Sequence, residues 1–113
     1  MALSLDQRIG IFQGRLVPST NGRLQCSPGS RWPEEFVIAG ALGMAYIELL
    51  GERTPDPQNP IWSSGGRRAM RQAAVDAGLM FVSLCIEEPL DTSLVDAGAA
   101  EALAARLAGV VAE

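Results

Sequence analysis

The chain has 113 residues with nine Arg, no Lys and no His against thirteen Asp plus Glu, for a net charge of -4. Without His there is no Ser–His–Asp or Cys–His pair within the chain, and without Lys there is no Schiff base and no P-loop lysine. An acidic chain with no basic stripe also argues against a nucleic-acid partner, while 48% hydrophobic and 19% charged residues are the composition of a folded domain.

In chain order, Arg8–Phe12 (RIGIF) is the first apolar run of strand length, and a long loop, Gln13–Arg31, follows it. A helix is predicted over Glu34–Leu42, with Pro33 in its first turn, Glu34 and Glu35 at the positive end of its dipole and Gly43 as its stop. Ala45–Leu49 (AYIEL) is the second strand and Leu50–Gly66 the second long loop. The second helix runs from about Arg67 to Ala77, with Ser63 or Ser64 as N-cap, Gly78 as stop, and an apolar stripe of Met70, Ala73, Ala74 and Ala77. Leu79–Cys85 (LMFVSLC) is the third strand and Ile86–Ser93 its loop. A third helix runs from about Leu94 to Ala112 along Val95, Ala99, Leu103, Leu107 and Val110.

None of the three strands alternates cleanly, which fits parallel strands buried on both faces. Strand and helix alternate, so the expected fold class is α/β: three βα units in a right-handed parallel sheet. The loops after the strands are long and those after the helices short, which puts any site at the carboxyl ends of the strands. A (β/α)8 TIM barrel takes ~250 residues, so three units are the arithmetic of its N-terminal part, and residues 1–113 are expected to be a single partial domain. The N-terminus MALSLDQRIG has no apolar h-region and no run approaches the ~20 residues of a membrane span, so the expectation is a cytoplasmic protein without a membrane partner. Cys26 and Cys85 lie outside any CxxC and read as free thiols.

The stretch Arg8–Leu16 (RIGIFQGRL) resembles the opening of the sugar phosphate isomerase/epimerase family of xylose isomerase-like TIM barrels. The likeness continues through Asn21–Gln25 (NGRLQ), Trp32–Phe36 (WPEEF), Ala41–Gly43 (ALG), Tyr46–Leu49 (YIEL), Asn59–Trp62 (NPIW) and Val82–Cys85 (VSLC). It covers most of residues 8 to 90, in order and at compatible spacings. The resemblance implies an enzyme that moves a proton next to a carbonyl of a sugar or sugar phosphate. Two glutamates exchange the proton, and a divalent metal (Mn, Mg, Co or Zn) holds the substrate oxygens. The family's Glu/Asp/His/Glu ligands come from later strands, so no catalytic or metal residue carries over, and this chain alone is expected to bind no metal and to be inactive. The related endonuclease IV branch draws zinc-binding histidines from strands two and three, and this chain has none.

With that resemblance, four residues are the expected substrate contacts. Glu48 ends the second strand, where a carboxylate points into a barrel mouth. Gln13 and Arg15 follow the first strand, and Arg15 suits a phosphate or carboxylate. Glu87 follows the third strand; its neighbour Glu88 diverges from it, and the segment CIEEPL departs from the family's pattern. Cys85 reads as a small buried hydrophobe. Trp32 and Trp62 are expected to fasten loops to the rim, and Gly65–Gly66 to shape a loop rather than hold phosphate. The alternative is a self-contained α/β module that binds a ligand or another chain without catalysis. Unpaired apolar edges would mark a fragment, for which poor solubility or homo-oligomerisation is predicted.

Overall fold

A computed structural model of the chain describes residues 9–19, 22–24, 26–87 and 95–112. Arg8, Asn21, Gln25, Glu88 and Leu94, with the remainder of the third loop to residue 93, lie outside the described residues.

The elements alternate as strand and helix: β1 (Gly10–Phe12), α1 (Trp32–Ala41), β2 (Tyr46–Gly51), α2 (Ser64–Ala77), β3 (Leu84–Ile86) and α3 (Ala97–Ala112). Short 3-10 turns at Gly29–Arg31 and Pro60–Trp62 lead into α1 and α2. The sheet is parallel, in the order β1-β2-β3. Gly10, Ile11 and Phe12 lie opposite Tyr46, Ile47 and Glu48; Leu49, Leu50 and Gly51 lie opposite Leu84, Cys85 and Ile86. The chain is therefore a mixed α/β structure of successive βα units.

Both ends of α2 follow from local chemistry. Ser63 takes extended backbone and its side chain accepts from the Gly66 N–H, a cap that contributes about 1 kcal/mol. Gly78 closes the helix in the left-handed region, at φ 73°. That N-cap starts α2 three residues earlier than Arg67. The first helix also begins earlier, at Trp32, because the preceding 3-10 turn runs straight into it with Pro33 at its start.

Helices α1 and α2 cover the same side of the sheet. Phe36 and Ala39 of α1 and Met70 and Ala74 of α2 bury against Ile47 and Leu49 of β2, with Ile61 and Leu79 closing the cluster. The helices meet at Gly40, where a Cβ would stand 2.5 Å from the Ala77 carbonyl oxygen, so no larger residue fits without moving a backbone. Helix α3 buries Leu103 and packs Val110 against this core. Because strand side chains alternate, Gly10, Phe12, Tyr46, Glu48, Leu50 and Cys85 fall on the opposite face, away from α1 and α2, with Leu50 fully buried there.

The third strand differs from the predicted Leu79–Cys85. Tyr46 bridges Met80 and Leu49 pairs with Leu84, so three steps along β2 match four along the neighbouring segment. The Ile47 N–H donates to the Met80 carbonyl and the Leu49 N–H to the Ser83 carbonyl, each at 3.3 Å. This is a β-bulge, uncommon between parallel strands, and it breaks the ladder between residues 80 and 84. No helix among the described residues is long and apolar enough to cross a membrane.

Candidate functional site

The sheet and the loops around it carry two kinds of glutamate. Glu35, in the first turn of α1, is fully buried and its carboxylate accepts from the backbone N–H groups of Gly14 (2.8 Å), Leu16 (3.0 Å) and Val17 (3.0 Å). The N-terminus of α1 adds its positive dipole end to this cradle. The first turn of the long loop after β1 is thereby pinned to the helix.

Glu52, just beyond β2, ties the next loops down in the same way. Its carboxylate accepts from Asn59 Nδ2 (2.8 Å), Trp62 Nε1 (2.8 Å) and the Ser27 N–H (3.4 Å). Asn59 also donates to the Leu50 carbonyl (2.7 Å) and caps the 3-10 turn by accepting the Ile61 N–H (3.1 Å). Trp62 thus fastens a loop to the rim. Both carboxylates are engaged by the protein's own donors, which satisfies the cost of burying them.

Glu48 is placed differently. The second strand runs on to Gly51, so Glu48 lies in mid-strand and not at the strand end expected of it, because Leu50 and Gly51 go on pairing with Cys85 and Ile86. It is half-buried on the face away from α1 and α2, and Ser83 Oγ donates to its Oε2. On the side of β1 its register neighbour is Phe12. The Arg15 guanidinium lies over the Phe12 ring, 5.1 Å from its centroid, and Nη1 donates to the Leu24 carbonyl at 2.9 Å. A row therefore crosses this face from β1 to the residue before β3: a guanidinium on an aromatic ring, a carboxylate, a hydroxyl.

Of the four expected contacts, the structure brings Arg15 and Glu48 into this row. Gln13 is buried instead, at 1% exposure. Its N–H donates to the Glu48 carbonyl (3.0 Å) and its Oε1 accepts the Leu50 N–H (3.0 Å). The side-chain amide thus continues the β1–β2 ladder one step past the strand. Its Nε2 is buried without a hydrogen-bond partner among the described residues. Glu87 is half-buried, and its N–H donates to the Gly51 carbonyl (2.9 Å), extending the β2–β3 pairing.

Cys26 and Cys85 are free and half-buried. Burial pushes the Cys26 thiol above its ordinary pKa, and Glu52, Glu87 and Asp56 add to this against Arg23. Burial likewise raises Cys85, with Glu87 and Glu48 adding. Both thiols are thereby disfavoured as nucleophiles. The Gly66 N–H is used by Ser63 Oγ, so Gly65–Gly66 serves the cap. Among the described residues no group of three or more His, Cys, Asp or Glu is placed to hold a metal ion.

The chain matches no family model, no curated protein and no solved structure.

Three features escaped the sequence reading. Glu35 had a signal: Trp32, Glu35, Phe36 and Ala39 share one helical face, and that face is the core. Asn59 had one too, since Asn-Pro marks a turn and places the Asn as a cap. The partnership of Ser83 with Glu48 had none, because it depends on the bulge.

Proposed function

We propose that the chain supplies three consecutive βα units of a (β/α)8 barrel. The face carrying Arg15, Phe12, Glu48 and Ser83 then forms one wall of a pocket for a sugar or sugar phosphate, which the complete barrel isomerises or epimerises. The observation that carries this reading is the row itself, which runs on the face away from α1 and α2 from the carboxyl end of β1 through the middle of β2 to the residue before β3. A polyol presents hydroxyl donors, which a carboxylate accepts. It also presents apolar C–H faces, which suit an aromatic ring. A phosphate or carboxylate end group suits a guanidinium that can bind it through two N–H groups.

Sugar isomerisation moves a proton next to a carbonyl and needs a carboxylate in reach. Within the row Glu48 supplies the carboxylate, and among the described residues it is bonded to the Ser83 hydroxyl and not to backbone N–H groups, so in this reading it contacts the reacting end of the sugar. The divalent metal implied by the resemblance finds no ligand set among the described residues, and no step is routed through it. The open edge supports the fragment reading: Met80, Phe81 and Val82 are 50%, 38% and 59% exposed beside β3, an apolar edge suited to a further βα unit.

The test is titration of the chain with D-fructose and D-fructose 6-phosphate by calorimetry, with deuterium wash-in at the carbon next to the carbonyl followed by NMR. The expected result is weak binding without wash-in by the chain alone, with binding lost in Glu48→Gln. A cooperatively folding monomer that binds neither compound overturns the proposal and favours the self-contained binding module.

A further inference from the structure

We infer that the bulge before β3 builds the Glu48 end of this wall, and that Ser83 is a positioning residue for the Glu48 carboxylate. The inference rests on the proposal that Glu48 faces a ligand.

Two registers meet at the bulge. Below it Tyr46 is paired with Met80, and a regular continuation would set Ile47 against Phe81 and Glu48 against Val82. Above it Leu49 is paired with Leu84, which counts back to Glu48 against Ser83. One inserted residue therefore replaces an apolar side chain with a hydroxyl across from the carboxylate. The same slip sorts the residues that follow. Leu84 packs with the core on the helix side, and Cys85 takes the place opposite Leu50. Without the inserted residue Leu84 would lie opposite Leu50, and the apolar layer would lose it.

The hydroxyl has a specific consequence. A glutamate side chain turns about several bonds, and a half-buried one on a strand face samples several orientations. The Ser83 bond occupies one oxygen, Oε2, and so fixes the direction in which Oε1 is presented. Bulges are enriched beside functional sites because they re-aim side chains in this way.

The test uses the full chain with 13C-labelled glutamate. The Glu48 Cδ resonance is recorded in the ligand-free protein for the natural sequence, Ser83→Ala and Ser83→Thr, and the affinity for D-fructose 6-phosphate is measured for each. Ser83 is exposed, so neither variant disturbs the core. The expected result is that Ser83→Ala moves the Glu48 resonance and weakens the probe about tenfold, the scale of one hydrogen bond to a charged group. Ser83→Thr, which keeps the hydroxyl, restores both. A Glu48 resonance that does not move in Ser83→Ala overturns the inference. A resonance that moves in Ser83→Ala and returns in Ser83→Thr, in a protein that does not bind the probe, upholds the positioning contact and rejects the sugar reading of the face.

Discussion

On the helix side of the sheet, Ile47, Leu49 and Leu84 meet Phe36, Met70 and Ala74, and the buried carboxylates at the rim, Glu35 and Glu52, are filled by the protein's own donors. On the other side the same strands present Phe12, Tyr46, Glu48 and Cys85, all half-buried, and Leu50, which is fully buried near the carboxyl end of β2. Each strand therefore serves two purposes by alternation alone. Residues at Ile47 and Leu49 hold the fold, while Glu48 between them faces the open side. Polar groups differ in the same way. Glu35 and Glu52 are surrounded by donors, whereas among the described residues Glu48 is held by the exposed Ser83. A carboxylate with its lone pairs filled is structural, and one with capacity left is available to a ligand.

Substitutions on the two sides should separate cleanly. The largest expected effect is on the sealed side. Phe36→Ala removes a fully buried ring that packs edge-on against Trp32 and Phe81, and should lower unfolding free energy by about 3–5 kcal/mol in urea denaturation. That is a large part of the ~5–15 kcal/mol of a typical domain. Next, Glu35→Gln sets an amide donor against the N–H groups of Gly14, Leu16 and Val17. It should cost about 2–3 kcal/mol and speed hydrogen exchange at those three amides. An equal loss from Glu48→Gln would contradict the distinction between the two sides of the sheet. That exposed-side change should stay within about 0.5 kcal/mol of the natural sequence.

The smallest effect concerns the thiols. Both have raised pKa values, so their thiolates form only above the ordinary thiol range. Iodoacetamide should label Cys26 and Cys85 more slowly in the folded chain than in the denatured chain across neutral and mildly alkaline pH. The sign on stability follows. For an acid whose folded pKa is raised, the stabilising contribution is full below the unfolded thiol pKa and is lost as pH rises through the folded one. Equal labelling rates in the two states would contradict the burial of these groups.

The order of elements was readable from the sequence because periodicity and caps acted locally. Ser63 and Gly78 bracket α2 with no help from the rest of the chain. Much of the candidate site was not readable in this way. Glu48 is expected at the end of a strand Ala45–Leu49, but pairing with β3 carries β2 on to Gly51 and leaves Glu48 in mid-strand. Gln13, one residue past β1, is consumed in completing a ladder, and only the three-dimensional register decides that. The predicted strand Leu79–Cys85 was continuous in composition, but the register slip inside it has no residue signature. Glu35 was legible as a helix-start charge and also as a core-face residue, and its burial with three donors settles which matters more.

The most direct test is an amide NMR titration of the chain with D-fructose 6-phosphate, resonance by resonance. Shifts are expected at Phe12, Arg15, Glu48 and Ser83 and none at Phe36 or Met70, with loss of the response in a Glu48→Gln protein of unchanged stability. Shifts confined to the helix side, around Met70, Phe81 and Val110, or a response that survives Glu48→Gln, would contradict the assignment of the open face as the binding wall.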